Sequence, residues 1–276
     1  MRLSEAIELL KAASVPDAEH DARVLYAEIG GISSASLFIG DPESDREELI
    51  KAIERRAKRE PLQYILGKTY FYREEYIVNK SCLIPRQDTE ILVDYAVKHI
   101  PSGELFLDLC TGSGCVGIST LKNTDRTRAV LADVSCDALD VARENVRLNG
   151  VDARAELRRA DVLCDRIADS CFAVLSNPPY VKRSVYEGLE AEIGFEPTMA
   201  FVGGEDGLDF YERLTPLYRD VIAEGGFIAY EIGFDQADAL RRIAESAEMT
   251  CEIIKDLSGN DRVAVLRRKR FSIEVT

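Results

Sequence analysis

With 276 residues, 46% of them hydrophobic, the chain suffices for one large domain or two smaller ones, and no run approaches the ~20 apolar residues of a membrane span. The net charge of −14 argues against a protein whose main task is gripping duplex nucleic acid, because phosphate meets a repelling field. Seven cysteines without a CxxC pair read as reduced, mostly buried thiols of a cytosolic protein, and two histidines (His20, His99) without ligand spacing argue against a zinc site.

The chain opens on MRLSEAIELLKAASVPDAEHD, an amphipathic helical pattern without the continuous apolar core of a secretory signal. Leu3, Ile7 and Leu10 share one helix face, and Ala22, Leu25 and Ile29 share the next. EIGG ends a helix with glycine. DPESDREELIKAIERRAKRE predicts another, with Asp41 and Pro42 as start signals and acids in its first turn. On that helix Lys51, Arg55 and Arg59 fall on one face, either a patch for an acidic partner or a solvated basic surface. YFYREEYIVN then alternates like a hairpin. These patterns predict a helical domain over residues 1–75, a hairpin and linker over 76–100, and a second domain over 101–276.

In that second domain short apolar runs alternate with helical patterns, the mark of an α/β doubly wound sheet. Strands are predicted at 104–110, 128–134, 153–159, 171–177, 226–232, 251–257 and 262–268. The last two are joined only by SGND, and a parallel crossover needs about a dozen residues, so the final strand runs antiparallel to its neighbour.

Four strand ends carry chemistry. LDLCTGSGCVG (107–117) follows a strand and opens a helix; Gly112 and Gly114 permit a tight turn and close approach to a ligand. It is no Walker loop, since no Gly-Lys-Ser/Thr follows. Asp133 ends the second strand about 20 residues beyond the glycines, where a carboxylate can accept both ribose hydroxyls of an adenosine or simply start a helix. Asp161 ends the third and can contact an adenine amino group or serve as a plain loop aspartate. The fourth delivers Asn177-Pro178-Pro179-Tyr180. Two adjacent prolines donate no N–H and hold the residues before them extended, so this stiff loop offers acceptors to a ligand N–H₂ group. All four converge on the carboxyl edge, where open α/β sheets bind ligands.

With these residues the chain resembles class I S-adenosylmethionine-dependent methyltransferases acting on a planar amino group. EPLQYILGKTYFYREEYIVN, LIPRQDTEILVD, NPPYV, FEPTMAFVGGEDGLDFY, YEIGFDQADAL and KDLSGNDRVAV are further similar to the HemK/PrmC family, in colinear order from about residue 58 to 268. The resemblance implies a Rossmann-like seven-stranded sheet with an antiparallel last strand and a small N-terminal helical domain for substrate recognition. It implies methyl transfer from S-adenosyl-L-methionine, leaving S-adenosyl-L-homocysteine, to the side-chain amide (N5) of the glutamine in the GGQ motif of peptide chain release factors. Asp108, Cys110, Thr111, Gly112, Ser113, Gly114, Asp133, Asp161, Val162 and Asn177 would hold the cofactor. Asn177, Pro178, Pro179 and Tyr180 would bind the substrate, and Asn177, Pro178 and Tyr180 would act on it. Gln87-Asp88 stand where the family has Pro-Glu, so Arg86 and Glu90 carry over only as supports, and Cys110 replaces the first glycine of the family's turn. No metal, direct nucleic-acid substrate or membrane is expected; a cytoplasmic monomer is. The alternatives are a methyltransferase of exocyclic amino groups in DNA or RNA, disfavoured by charge, and a catalytically silent release-factor or ribosome binding module, disfavoured by the intact tetrapeptide and acids.

Overall fold

The computed structural model describes residues 1–186, 188 and 190–269; residues 270–276 of the expected second domain lie outside them. The chain forms two compact units, one of Met1–Thr69 with Glu190–Phe195, the other of Tyr70–Leu189 with Glu196–Thr276.

The first unit packs α1 (Leu3–Ala12), α2 (Ala18–Glu28), α3 (Ser34–Ile39), α4 (Glu47–Ala57) and α5 (Leu62–Leu66). Leu3, Leu10, Leu25, Tyr26, Leu49 and Ile53 bury its core. The start of α4 differs from the expectation. The helix begins at Glu47, while Asp41 accepts from the Ser4 N–H and hydroxyl, both at 2.8 Å, and so satisfies the first turn of α1 instead. The basic face is also corrected. Lys51 pairs with Glu47, Arg55 with Glu60, and Arg59 lies beyond the helix end at φ 68°, donating to Glu192. Buried Arg56 donates to Asp21 at 2.6 Å and also meets Glu192. Breaking that buried cluster by removing one partner costs roughly 3–5 kcal/mol, against ~0.5 kcal/mol for the exposed Lys51 pair.

A hairpin, β1 (Lys68–Phe71) and β2 (Glu74–Ile77), leads into the second unit. Its turn puts Tyr72 and Arg73 at positive φ, the hand that suits a two-residue hairpin. The second unit continues with α6 (Glu90–His99), β3 (Leu105–Leu109), α7 (Cys115–Lys122), β4 (Arg128–Asp133), α8 (Cys136–Leu148), β5 (Ala155–Arg159) and β6 (Cys171–Ser176). After them come α9 (Arg183–Tyr186), α10 (Asp209–Arg219), β7 (Ile222–Glu231), α11 (Ala237–Ser246), β8 (Met249–Lys255) and β9 (Asp261–Arg268). The seven-stranded order is β5-β4-β3-β6-β7-β9-β8. β9 lies between β7 and β8 and runs antiparallel to both, as the short SGND connection requires. β3 pairs in parallel with β4 on one side and β6 on the other, which creates a switch point at their carboxyl ends. The period of two sends Leu107 and Leu109 into one core and Phe106 into the other. Of the cysteines, Cys82, Cys115 and Cys171 are buried, whereas Cys136 and Cys164 are exposed, contrary to a mostly buried set. Among the described residues no helix is long and apolar enough to cross a membrane.

Candidate active site

The Gly-rich turn is built from its own neighbourhood. Gly114 caps α7 at φ 84°, where a Cβ would come within 2.8 Å of Ile118. Gly117 lets the helix close on β3, since a Cβ there would lie 2.9 Å from Asp108 Oδ2. Asp108 accepts from the Thr111 hydroxyl at 2.5 Å and the Gly117 N–H at 2.9 Å. Burial raises its carboxyl to about 7 against those two bonds. Asn145 donates to the carbonyls of Ser113 and Ile77 and thereby ties the turn to the hairpin. Asp108, Thr111, Ser113 and Gly114 thus shape the turn from behind.

A cavity of about 340 Å³ opens at the carboxyl ends of β3, β4, β5 and β6. Of the expected cofactor residues, Cys110, Gly112, Asp133, Asp161, Val162 and Asn177 line it, together with Pro179. Asp133 Oδ2 accepts from the Gly112 N–H and Oδ1 from the Ser135 N–H, both at 2.9 Å. Burial raises its carboxyl as well. Ser135, not Asp133, caps α8, so the aspartate is not the helix-start residue. Asp161 is exposed and accepts from the Leu163 N–H. Cys110 sits at φ 58°, a left-handed conformation made for the glycine it replaces. Burial pushes the Cys82 thiol up to about 11, so it faces the cavity uncharged.

The Asn-Pro-Pro-Tyr loop is held by distant segments. Val181 donates to Phe201 and accepts from Gly203, clamping the loop's exit. Gly203 and Gly207 make this clamp possible, since a Cβ would come within 2.3 Å of the Pro179 carbonyl oxygen and 2.2 Å of that of Tyr180. Gln236 donates to the carbonyls of Tyr180 and Gly207. Tyr180 donates its hydroxyl to Glu231 at 3.1 Å, and burial raises its phenol further. Asn177 Nδ2 donates to Thr89 Oγ1 at 3.2 Å. Among the described residues no donor meets Asn177 Oδ1 or the Pro178 carbonyl. Pro178 and Tyr180, expected to act on the substrate, are not among the residues that line the cavity, although their neighbours Asn177 and Pro179 are.

Arg86 and Glu90 do not reach the cavity. Arg86 donates to buried Glu196, which also accepts from the Ile84 N–H, and Glu90 accepts from Tyr72 N–H in the strained hairpin turn. Among the residues unforeseen in the sequence are Cys82, Pro197, Met199 and Phe210 in the wall, and Thr89, Glu231 and Gln236 behind the loop. All but Cys82 lie inside the motif blocks quoted above; no local pattern marks them.

The lining suits S-adenosylmethionine. Gly112 presents a turn with nothing within 4 Å of where a Cβ would stand, Asp133 offers carboxylate oxygens at the strand end, and Val162, Val134 and Phe210 give an apolar slot beside Asp161. Among the described residues no group of three or more His, Cys, Asp or Glu is disposed to hold a metal ion.

Residues 2–67 match the family model of the PrmC N-terminal domain, and residues 87–191 that of the methyltransferase small domain. The chain is 36% identical to the release factor glutamine methyltransferase of Caulobacter vibrioides over 94% of its length and 93% of the relative. It is 36% identical to the enzyme of that name from Thermodesulfovibrio yellowstonii over 91% and 92%. A ribosomal protein L11 methylase structure from Lactobacillus delbrueckii subsp. bulgaricus shares the fold, at 16% identity and a TM-score of 0.51 over 67% of this chain and 81% of that one. Similarity at this level over nearly the whole of both chains places this protein in the release factor glutamine methyltransferase family.

Proposed function

We propose that the protein methylates the side-chain amide nitrogen of the glutamine in the GGQ motif of peptide chain release factors. The observation that carries this reading is the Asn177 amide, turned so that Oδ1 stays open at the edge of a cavity lined by Asp133. Asp133, Asp161, Val162, Cys110 and Gly112 would hold S-adenosylmethionine, which would supply an electrophilic methyl group, with Asp133 offering acceptors for ribose hydroxyls. A primary amide is a poor nucleophile, because its nitrogen lone pair is delocalised into the carbonyl. Asn177 Oδ1 and the Pro178 carbonyl each accept one N–H of the glutamine amide, which fixes the nitrogen and aims its remaining density. Tyr180, anchored on Glu231, keeps the far side of that subsite rigid. The rate gain comes from positioning and preorganised acceptors.

The helical unit recognises the folded release factor, and the enzyme acts as a cytoplasmic monomer without a direct nucleic-acid substrate. The net charge of −14 and the paired state of Arg55, Arg56 and Arg59 support that last part. Tritiated methyl transfer to purified release factor, DNA and RNA tests the reaction: label on the glutamine of the factor is expected, and label on nucleic acid alone would replace this reading with the exocyclic-amine one. Hydrogen-exchange protection of residues 1–67 on adding release factor checks the role of the helical unit.

A further inference from the structure

We propose that Thr89 and Glu231 form a positioning relay that dictates which end of the Asn177 amide faces the substrate, an inference that rests on the glutamine reading above. Thr89 and Glu231 lie 88 residues before and 54 residues after Asn177. Thr89 Oγ1 stands 2.5 Å from Glu231 Oε2 and 3.2 Å from Asn177 Nδ2. Burial raises the Glu231 carboxyl, while the Thr89 and Tyr180 hydroxyls and Arg262 favour its ionised form. A threonine hydroxyl has one proton and a carboxylate can only accept, so in that form the proton goes to Glu231. The hydroxyl is left with lone pairs alone for Asn177, so the end of the amide that meets it must be the N–H₂. Oδ1 is thereby turned outward, the one orientation in which Asn177 can accept from an incoming amide.

The reverse orientation would point two N–H bonds at the substrate's own N–H₂, donor against donor. An asparagine in a rigid loop can flip between the two at little steric cost, so the loop by itself does not choose. Thr89 and Glu231 do, and both are fixed. Thr89 is 1% exposed and Glu231 2%. Glu231 ends β7 in register with Val263 and takes its second hydrogen bond from Tyr180, so one carboxylate orients two residues of the tetrapeptide. Arg262 and Asp88, themselves paired at 3.1 Å, are the charged groups facing it, and the Tyr211 hydroxyl closes off its backbone carbonyl. Neither Thr89 nor Glu231 lines the cavity, which makes them positioning residues.

Thr89→Val keeps the shape and removes the hydroxyl; Thr89→Ser restores it. Single-turnover methyl transfer to release factor should fall about 10- to 100-fold in Thr89→Val, with the affinity for S-adenosylhomocysteine and for the factor held within about threefold. Thr89→Ser should recover most of the rate. Equal rates in wild type and Thr89→Val, or no recovery in Thr89→Ser, would overturn the relay. Amide hydrogen exchange of the Asn177 side chain in the free wild-type protein needs neither variant nor substrate. One of its two protons should exchange about tenfold or more slowly than that of a solvated asparagine. Two fast protons would also overturn the relay. A wild-type enzyme that leaves the release factor unmethylated would instead overturn the assigned reaction, and the exchange measurement still decides the relay.

Discussion

The Gly-rich turn and the Asn-Pro-Pro-Tyr loop leave neighbouring strands, β3 and β6, at the same edge of the sheet, and they are held in opposite ways. The turn is fastened chiefly by carboxylates close in sequence, Asp108 and Asp133, through bonds spanning 3, 9 and 21 residues, with one longer tie from Asn145 to the Ser113 carbonyl across 32. The loop is fastened by Thr89, Glu231 and Gln236, whose side chains bond it across 88, 51 and 56 residues, and by Phe201 and Gly203 through the backbone of Val181. A nucleotide-binding turn can be specified by a short stretch of chain. On the proposed reading the loop presents bare acceptors, and an internal donor would consume an acceptor it needs, so its restraints come from elsewhere.

The contrast can be broken at either end. Asn177→Asp should have the largest effect. It places a negative charge beside the reacting cation and sets a second carboxylate against the Thr89 oxygen. Turnover should drop at least ~10²-fold while cofactor affinity stays within several-fold, read by single-turnover transfer at saturating release factor. Asp133→Ala should do the reverse. Losing even one charge-assisted bond worth roughly 1.5–3 kcal/mol should weaken S-adenosylhomocysteine at least about 10- to 100-fold in calorimetric titration, with turnover at saturating cofactor little changed. Gly207→Ala strikes the distant clamp alone. Its Cβ would press on the Tyr180 carbonyl from a backbone at φ 79°, so urea unfolding should show a loss of about 1–3 kcal/mol, with turnover falling and cofactor affinity unmoved. Cys110→Gly is the smallest change and acts on the turn. Relief of the left-handed conformation should raise stability by about 1 kcal/mol in thermal melting.

The same contrast explains what could be read from the chain. The alternation of strands and helices, the antiparallel last strand, and the placing of Gly112, Asp133, Asp161 and Asn177 at one edge all follow from local pattern and short connections. Asp41 misled because a helix-start residue looks alike whether it serves its own helix or, as here, the first turn of α1 across 37 residues. Arg59 misled because helical spacing assumes that the helix continues, and α4 stops at Ala57. Thr89 and Glu231 left no signal: a threonine before a helix and a glutamate at a strand end are ordinary, and only the sheet's register brings them together.

The position of β9 bears on how this protein is made. β7 has its second partner only once residues 261–268 have been synthesised, and among the described residues β8 pairs only with β9. Until then Ile228 and Tyr230 sit on an open, apolar strand edge, the kind of surface that recruits other chains. A chain that contained β7 but lacked β9 would leave that edge open to pairing with other chains. Because Glu231 is set by its register with Val263, the Asn-Pro-Pro-Tyr loop gains its Glu231 anchor only after residues 261–268 have been made.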